Sequence, residues 1–428
     1  MTTQNTIINS PFRDLLIVDI GGTVASGYAG KLFADYGARV VNLEPSQGFS
    51  TRRIEPLLNN GNSAIHAYLH ANKESVCCDD LLTGHPAIAA ADLVLMDITT
   101  LPLSLSKDDF DVNVCAISWY GLNGPYADFN GSDASIYALT GLMQGVGESQ
   151  GPPIIPTGYQ TQIVGGLSAF NGAAGYLLGQ HLKGDDKPTA FCLDASIWEA
   201  NMCLTDIGAA MSFNQEPLPQ RMGINRFAPT YPLGIWPCKD GWLGVTVLNP
   251  AQWFAFCELL GLDDFAAEPK YHNSMARLED VELLEPRILE ALSQQSAEDL
   301  FYRGQSMRIP LARVPTMEEL LTVDQYVQRQ AFSEYSCEGE TFQAPSCPFR
   351  LLETPPLYGG DTANLGADNQ GWDTESVSTK DSLDTSRSGS KEEEDSSIPQ
   401  GPLEGITIVD LSMGWAGPLA TRNLADLG

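Results

Sequence analysis

Basic residues are scarce in this sequence. Its 428 residues include 24 lysines and arginines against 54 aspartates and glutamates, which gives a formal net charge of -30. Such a charge repels nucleic acid and anionic lipid and leaves few side chains to neutralise a polyanion. We therefore expect no nucleic-acid partner and no membrane partner, and any anionic ligand must find a local basic patch.

Patterns typical of metal sites and of secreted proteins are also missing. The nine cysteines are scattered, and the adjacent pair Cys77 and Cys78 lacks the C-x-x-C spacing of zinc sites. His66 and His70 are spaced like neighbours on a helix, but no carboxylate at a suitable spacing joins them. The N-terminus lacks a basic segment followed by an apolar one. We expect reduced thiols, no metal and a cytoplasmic location.

A long hydrophobic run suited to a membrane span is absent as well. The nearest candidate is residues 156–179, which are glycine-rich and almost uncharged but contain Gln162, Ser168 and Asn171. A spanning helix needs about 20 predominantly apolar residues. Because small residues at helical spacing let another backbone approach closely, this segment predicts a helix buried in a protein core.

Short apolar runs separated by helical patterns fill the first half of the chain. Residues 14–20 form one such run, two glycines follow, and a helical pattern leads to the next run. Further runs at 91–98 and 112–119 leave room for helices. This alternation is typical of an α/β domain with a mainly parallel sheet. We predict a Rossmann-like large domain over residues 12–225.

The pattern changes near residue 231. The segment GIWPCKDGWLGVTVLN indicates a hairpin with its turn at 239–241, and a helical segment follows at 251–262. This predicts a small α+β domain over residues 226–330. Residues 331–365 are expected to return to the large domain.

Serine and acidic residues dominate the next segment, residues 366–401. A segment with so little apolar content cannot repay the entropy lost on ordering it. We predict a disordered linker there.

After this linker the chain resembles its own beginning. Residues 406–428 align without a gap with residues 15–37, so that Asp410 matches Asp19, 391 residues earlier. A repeat of this length indicates a duplicated domain rather than a solenoid. We interpret residues 402–428 as the truncated start of a second copy and expect the chain to be the N-terminal part of a longer tandem protein.

Several segments in both copies resemble one protein family. They are ITIVDLSMGWAGPLATRNLADLG (406–428), FADYGARVVNLEP (33–45), HANKESVCCD (70–79), SWYGLNGPYADFNGSDASIYALTGLM (118–143), and later blocks at 192–200, 231–261 and 308–332. Their order and spacing are similar to those of the class III CoA-transferases, the CaiB/BaiF family. The resemblance spans residues 12 to 365.

The resemblance implies a fold, a reaction and partners. Family members combine a Rossmann-like large domain with a smaller α+β domain and form interlocked dimers, an interface that a tandem chain could make within one molecule. An aspartate attacks an acyl-CoA thioester to give a mixed anhydride and free CoA thiolate. The thiolate then attacks the aspartyl carbonyl, which releases the donor acid and leaves CoA as a thioester on the aspartate, and the acceptor acid finally takes CoA. The implied substrates are acyl-CoA and a small carboxylate, and the implied partner is the second transferase half of the same chain.

In the family, the nucleophilic aspartate lies four residues before a glycine on the helix after a glycine-rich loop. Counting back four residues from Gly166 reaches Gln162. An amide can hydrogen-bond but cannot form the anhydride. We expect no catalytic residue in this chain, and Gln162 either satisfies buried backbone groups or keeps a part in ligand binding.

The same resemblance suggests binding residues. It places CoA beside Asn72, Lys73 and Ser75, although Glu74 stands where the family has an arginine. Aromatic side chains could cage a methylated onium group by cation–π attraction, or they could belong to the core. These aromatic candidates are Trp119, Tyr120, Tyr126 and Trp236.

These departures from the family predict a catalytically decayed first half of a tandem acyl-CoA transferase. The arrangement resembles the CoA-transferase/lyases of marine bacteria that act on dimethylsulfoniopropionate (DMSP) and release dimethyl sulfide. Three alternatives stay open. They are a different acceptor such as carnitine or a betaine, an acyl-CoA racemase relative working through an aspartate and a histidine, and a non-catalytic scaffold half.

Overall fold

The computed structural model describes residues 10–79, 84–98, 111–184, 189–205, 221–372 and 401–428. The chain divides into two compact units, the first made of residues 1–139, 157–204 and 330–428 and the second of residues 140–156 and 205–329. None of the helices in the described ranges combines the length and the apolar character that a membrane span requires.

The described secondary structure comprises twelve strands and fourteen α-helices, together with short 3-10 turns. The strands are β1 (Leu16–Asp19), β2 (Arg39–Glu44), β3 (Glu74–Cys77), β4 (Leu93–Asp97), β5 (Val114–Ser118), β6 (Cys192–Ser196), β7 (Leu233–Cys238), β8 (Gly241–Thr246), β9 (Leu311–Arg313), β10 (Phe332–Cys337), β11 (Glu340–Pro345) and β12 (Gly360–Thr362). The helices are α1 (Val24–Asp35), α2 (Ala64–His70), α3 (Pro86–Ala90), α4 (Asp133–Thr140), α5 (Gln160–Lys183), α6 (Ile197–Met202), α7 (Pro250–Leu260), α8 (Asp263–Ala267), α9 (Ser274–Glu279), α10 (Val281–Ser293), α11 (Ala297–Ser306), α12 (Met317–Leu320), α13 (Asp324–Gln328) and α14 (Ala416–Asp426).

Six strands form the central sheet of the first unit. Their order is β3-β2-β1-β4-β5-β6, and every neighbouring pair is parallel. The strand order reverses between β1 and β4, as in doubly wound dinucleotide-binding folds. This topology confirms the predicted Rossmann-like α/β class.

The central strands are buried on both faces of this sheet. In β1, Ile17 packs into the core on the side of α1 and α5, whereas Val18 packs into the core on the opposite side. Leu95 and Val94 in β4 divide between the same two cores. Successive side chains of a strand point to opposite faces, and burying each aliphatic side chain contributes roughly 1.5–3 kcal/mol. This explains why these strands read as continuous apolar runs.

The glycine-rich segment forms the 24-residue helix α5, as predicted. Glycine lets it lie close to neighbouring elements, since a Cβ at Gly166 would lie 2.5 Å from the carbonyl oxygen of Ala25 in α1. A Cβ at Gly165 would lie 2.7 Å from Ile197 at the start of α6. Ser168 lies on an exposed part of the helix. Only one side of α5 is therefore core.

A smaller sheet completes the first unit. Strand β10 pairs antiparallel with β11 and parallel with β12. Lys31 joins this sheet to α1, because its Nζ lies 3.0 Å from Asp35 Oδ2 and 3.1 Å from the Tyr335 hydroxyl. Both charged side chains are buried, and a buried ion pair needs this close geometry to offset desolvation.

Residues 366–372 are packed, although we predicted that the linker begins at residue 366. The backbone N–H groups of Ser75 and Cys77 in β3 donate to the side chains of Asp368 and Asn369 at 2.9 and 2.8 Å. The indole of Trp372 is buried. These contacts cover the outer edge of the sheet, where β3 would otherwise present unpaired groups. The remainder of the predicted linker, residues 373–400, lies outside the described residues.

We expect the segment 402–428 to fold as a strand and a helix that join no proper sheet, and it contains α14 but no strand. Residues 406–411 pair with no neighbouring strand in the described part of the chain. Val409 and Leu411 are 76% and 93% exposed. The expected strand does not form because a strand needs a partner for its backbone groups, and the apolar pattern finds none here.

The second unit contains the antiparallel sheet β7-β8-β9 and helices α7–α11. The predicted hairpin is confirmed, since β7 ends at Cys238 and β8 begins at Gly241. Asp240 in the turn accepts a 2.8 Å hydrogen bond from the backbone N–H of Ala297, the first residue of α11. Trp253 and Leu243 lie in the apolar core of this unit.

Candidate functional site

The first turn of α5 is positioned by a carboxylate from α4. Asp133 Oδ1 accepts hydrogen bonds from the backbone N–H of Thr161 (3.0 Å), the Thr161 hydroxyl (2.6 Å) and the backbone N–H of Gln162 (3.4 Å). The residue before the helix, Tyr159, provides no side-chain cap. Asp133 therefore satisfies N–H groups that a helix start leaves free, and its negative charge lies at the positive end of the helix dipole.

The side chain of Gln162 belongs to the same cluster. Its Nε2 donates a 2.9 Å hydrogen bond to Asp133 Oδ2. The two carboxylate oxygens of Asp133 thus accept from four donors, all on Thr161 and Gln162. An amide in this position adds a neutral donor where an aspartate would add a second negative charge.

Neighbouring side chains fix this helix start from two further sides. Asn201 in α6 is buried, and its Nδ2 donates to the carbonyl oxygens of Thr161 (3.0 Å) and Ile197 (2.8 Å). The Tyr137 hydroxyl in α4 donates to Gln160 Oε1 at 3.0 Å. Packing and hydrogen bonds from α4 and α6 therefore hold the first turn of α5 in place.

The predicted CoA-binding residues lie elsewhere in the first unit, and two of the three are in the core. Lys73 Nζ donates to the carbonyl oxygen of Gly27 at 2.9 Å, and the Ser75 hydroxyl donates to Glu44 at 2.7 Å. The Asn72 amide donates to the carbonyl oxygen of Gly359 at 2.8 Å. Lys73 and Ser75 are 4% and 1% exposed, so their burial does not support the prediction that they contact CoA.

Lys73 is the centre of a buried polar cluster. Its Nζ lies 3.7 Å from Asp19 Oδ2 and 3.4 Å from His70 Nδ1. Burial lowers the pKa of Lys73 to about 8 although Asp19 opposes the shift, and burial raises the pKa of Asp19. Burial also lowers the pKa of His66, the stacked neighbour of His70, to about 3. These histidines are uncharged core residues at neutral pH.

The two histidines stack on each other and share a hydrogen-bonding neighbour, Thr51. Their ring centroids are 4.4 Å apart, and the Thr51 hydroxyl lies 2.9 Å from His66 Nδ1 and 3.4 Å from His70 Nε2. Within the described ranges, no three histidine, cysteine, aspartate or glutamate side chains are grouped so as to hold a metal ion. The pair therefore acts in core packing.

Glu74, which reverses the charge expected at its position, anchors residues 366–372. It forms two hydrogen bonds with Arg39, at 2.7 and 2.9 Å, and accepts a 3.0 Å hydrogen bond from the indole nitrogen of Trp372. The Arg39 guanidinium lies 4.6 Å from the Trp372 ring centroid. Sequence reasoning missed this contact, although a lone tryptophan in a polar segment was a signal of local packing.

The four aromatic candidates do not form a cage. Trp236 is 1% exposed in the core of the second unit, so its ring is covered there. In the first unit, Trp119 packs over Gly131, and the Tyr120 and Tyr126 rings meet edge to face with centroids 6.1 Å apart. Tyr126 stacks on Phe129 at 4.9 Å, which leaves no space for a cation between those two rings.

The fold is that of an α/β protein in which a long helix, with its first turn capped by Asp133, begins beside a parallel sheet. Residues 12–94 and 103–369 match the model of CoA-transferase family III. The chain belongs to this family.

Curated relatives are similar over most of the chain. The succinate–glutarate CoA-transferase of Agrobacterium fabrum is 25% identical over 386 residues, which cover 83% of this chain and 93% of the relative. The acetyl-CoA:oxalate CoA-transferase of Acetobacter aceti is 24% identical over 302 residues, 67% of this chain and 76% of that protein. The probable CoA-transferase Rv1866 of Mycobacterium tuberculosis is 23% identical over 418 residues, 93% of this chain but 50% of that protein.

Solved structures share the fold. The crystal structure of a CaiB/BaiF family protein from Brucella suis has a TM-score of 0.74 and 20% identity, and the match covers 86% of this chain and 100% of that chain. Rv3272 from Mycobacterium tuberculosis matches with a TM-score of 0.70 and 20% identity, over 85% of this chain and 99% of that chain.

Proposed function

We propose that this chain is a non-catalytic copy within a class III CoA-transferase that moves CoA between an acyl-CoA and a small carboxylate. The observation that carries the proposal is the amide of Gln162, hydrogen-bonded to Asp133, at the position where the family resemblance places the nucleophilic aspartate. Acyl transfer by this route needs a free carboxylate oxygen to form the anhydride. An amide cannot supply it.

Asp133 does not replace the missing nucleophile in this proposal. Both of its oxygens accept hydrogen bonds from Thr161 or Gln162, and the shortest, from the Thr161 hydroxyl, is 2.6 Å long. An attack on a thioester would break several of these bonds and remove the cap of α5. Asp133 is therefore a structural residue.

We place the active aspartate in a second copy that begins near residue 401. One support is a hydrogen bond between the two ends of the segment 401–428. The opening turn, residues 401–405, contains Leu403, whose backbone N–H donates to the carbonyl oxygen of Leu427 at 2.9 Å. The same bond joins Phe12 to Tyr36 at 3.3 Å, 391 residues earlier. A shared backbone bond at the repeat distance favours a shared fold.

Two further features recur at this distance. Asp410 accepts a 2.7 Å bond from the backbone N–H of Ser412, as Asp19 does from Gly21 at 2.9 Å. Helix α14 ends at the residue that corresponds to the end of α1. The partial coverage of Rv1866 is compatible with a protein of two copies. The catalytic aspartate is then expected 391 residues after Gln162.

The acceptor in this proposal is DMSP, a zwitterionic carboxylate, with release of dimethyl sulfide after CoA transfer. The support is the combination of a tandem arrangement and an amide in the first copy, which resembles the transferase/lyases of marine bacteria. The named acceptors of the relatives, glutarate and oxalate, are likewise small carboxylates. A racemase is disfavoured because it would also need the aspartate that Gln162 replaces.

The test combines turnover with trapping of the covalent intermediate. This chain is incubated with acetyl-CoA and DMSP, dimethyl sulfide is measured by gas chromatography, and acyl-enzyme is sought by mass spectrometry after hydroxylamine treatment. We expect neither product from this chain and both from a protein that contains the two copies. Dimethyl sulfide release or an adduct on Asp133 in this chain would overturn the proposal.

A further inference from the structure

The C-terminal half of α5 contacts the segment 401–428. A Cβ at Gly175 would lie 2.7 Å from Leu427 Cδ1, and a Cβ at Gly179 would overlap the carbonyl oxygen and carbon of Pro402. Both glycines are buried. Glycine is required at 179 because the group it faces is backbone, which cannot rotate out of the way.

Burial within residues 401–428 is concentrated at this contact. Gly401, Pro402 and Leu427 are half-buried, and Leu403 is buried at 5% exposure. Most of the segment is exposed, with Met413 as the extreme at 96%. The segment is thus held by its opening turn and its last residues.

The opening turn is a preformed unit. Besides the bond between Leu403 and Leu427, Gly401 lies against Gly428, as Ser10 lies against Gly37 in the first copy. The two ends of the segment therefore contact one surface together. Because they are already joined, the conformational entropy of ordering them is not lost twice.

The same helix receives the opening turn of the first copy at a different place. Phe12 lies with its ring 6.0 Å from that of Phe170 in α5. Phe170 and Gly179 are nine residues apart on the helix, which corresponds to about 14 Å at 1.5 Å per residue. Helix α5 thus has one contact site for each copy.

We propose that Gly175 and Gly179 form the surface of α5 on which the second copy is seated, through residues 401–403 and Leu427. The identity of the occupant as a second copy rests on the proposed function. Gln162, at the opposite end of α5, lies about 26 Å from Gly179 along the helix, so loss of the nucleophile leaves this surface unchanged. The first copy is retained as a seat for the second.

Hydrogen–deuterium exchange of the 428-residue chain tests this seat. Gly179→Ala should raise the exchange rate of peptides from residues 401–405 and 416–428 about tenfold, because an added methyl against backbone cannot be accommodated. Gly172→Ala is the matched control on the same helix, since its Cβ would meet the movable side chain of Leu193. Exchange in the Gly172→Ala variant should equal that of the wild type.

A substitution on the other side of the contact distinguishes loss of this contact from misfolding of α5. Leu427→Ser leaves α5 unaltered and should raise exchange in residues 401–405 and 416–428, with β1 and β4 unchanged. Gly175→Ala combined with Leu427→Ser should add little to Leu427→Ser alone, because one contact is removed twice. Wild-type exchange in the Gly179→Ala and Leu427→Ser variants would overturn the seat. This experiment measures exchange and not turnover, so its failure is distinguishable from failure of the proposed function.

Discussion

Gln162 and Asp133 are joined by a 2.9 Å hydrogen bond in which the amide nitrogen donates to a carboxylate oxygen. In the proposed function, this is the position of the family's nucleophilic aspartate. It makes the amide part of the cap of α5, because the same carboxylate accepts from the backbone of Thr161. An amide at residue 162 is thus compatible with a stable start of the helix.

Restoring the aspartate should therefore fail to restore activity. Gln162→Asp removes the donor to Asp133 and places a second carboxylate beside it, which we expect to cost roughly 1–3 kcal/mol of unfolding free energy. Urea unfolding and the dimethyl sulfide assay measure the two effects. The double variant Gln162→Asp with Asp133→Asn removes the charge repulsion and should recover part of the stability. An active and fully stable single variant would contradict the expectation.

Removing the cap tests the role of Asp133 directly. Asp133→Ala should lower the unfolding free energy by about 1–2 kcal/mol, because the start of α5 then loses its acceptor. Asp128→Ala is the control, since Asp128 is exposed in the same loop region, and surface substitutions usually change stability by less than about 0.5 kcal/mol. Equal stability of the two variants would show that the cap contributes nothing.

The contact between Glu74 and Trp372 gives a third prediction. Glu74→Arg, which restores the charge of the family, should repel Arg39 and release residues 366–372 at a cost of roughly 1–3 kcal/mol. The readout is the fluorescence of Trp372, isolated by subtracting a Trp372→Phe chain. Glu334→Arg, an exposed glutamate on β10, is the charge-matched control. A buried emission spectrum for Trp372 in Glu74→Arg would refute the anchor.

Acid should destabilise the first unit partly through His66. Burial lowers the pKa of this histidine from 6.5 to about 3, so the folded state stays neutral while the unfolded chain takes up a proton near pH 6.5. The unfolded state binds more protons between these values, and stability is lost as pH falls through this window. Glu44, also buried here, has a lowered pKa because of Arg52, so its carboxylate adds a loss in acid.

Comparison of variants separates the histidine from the carboxylates. Urea unfolding is measured at about pH 7 and about pH 5. The unfolding free energy should fall less for His66→Gln than for the wild type, because glutamine takes up no proton on unfolding. His181→Gln, at the exposed end of α5, should behave like the wild type. If His66→Gln loses as much stability as the wild type, His66 does not contribute.

The sequence identified those features that depend on local pattern. The parallel strands could be predicted because β4 and β5 are continuous apolar runs. That Gln162 and Gly166 lie on one helix could be predicted because they are four residues apart in one helical pattern. The contacts of Lys73 and Glu74 could not be predicted in this way. Their partners, Asp19 and Trp372, are distant in sequence, and a buried charged side chain must pair within the fold instead of binding a ligand.

The backbone amides of the segment 406–413 should exchange faster than those of β1. Its sequence repeats that of β1, but β1 lies between β2 and β4, whereas residues 406–411 have no partner strand in the described ranges. Backbone amides without a ladder exchange readily, so we expect rates within about tenfold of an unstructured peptide there and the strongest protection in β1. The comparison uses peptides from β1 and from residues 406–413 in one exchange experiment on the same chain, so pH and temperature are the same for both. Protection of residues 406–411 equal to that of β1 would mean that the segment finds a strand partner, and the account of its exposed Val409 and Leu411 would then be wrong.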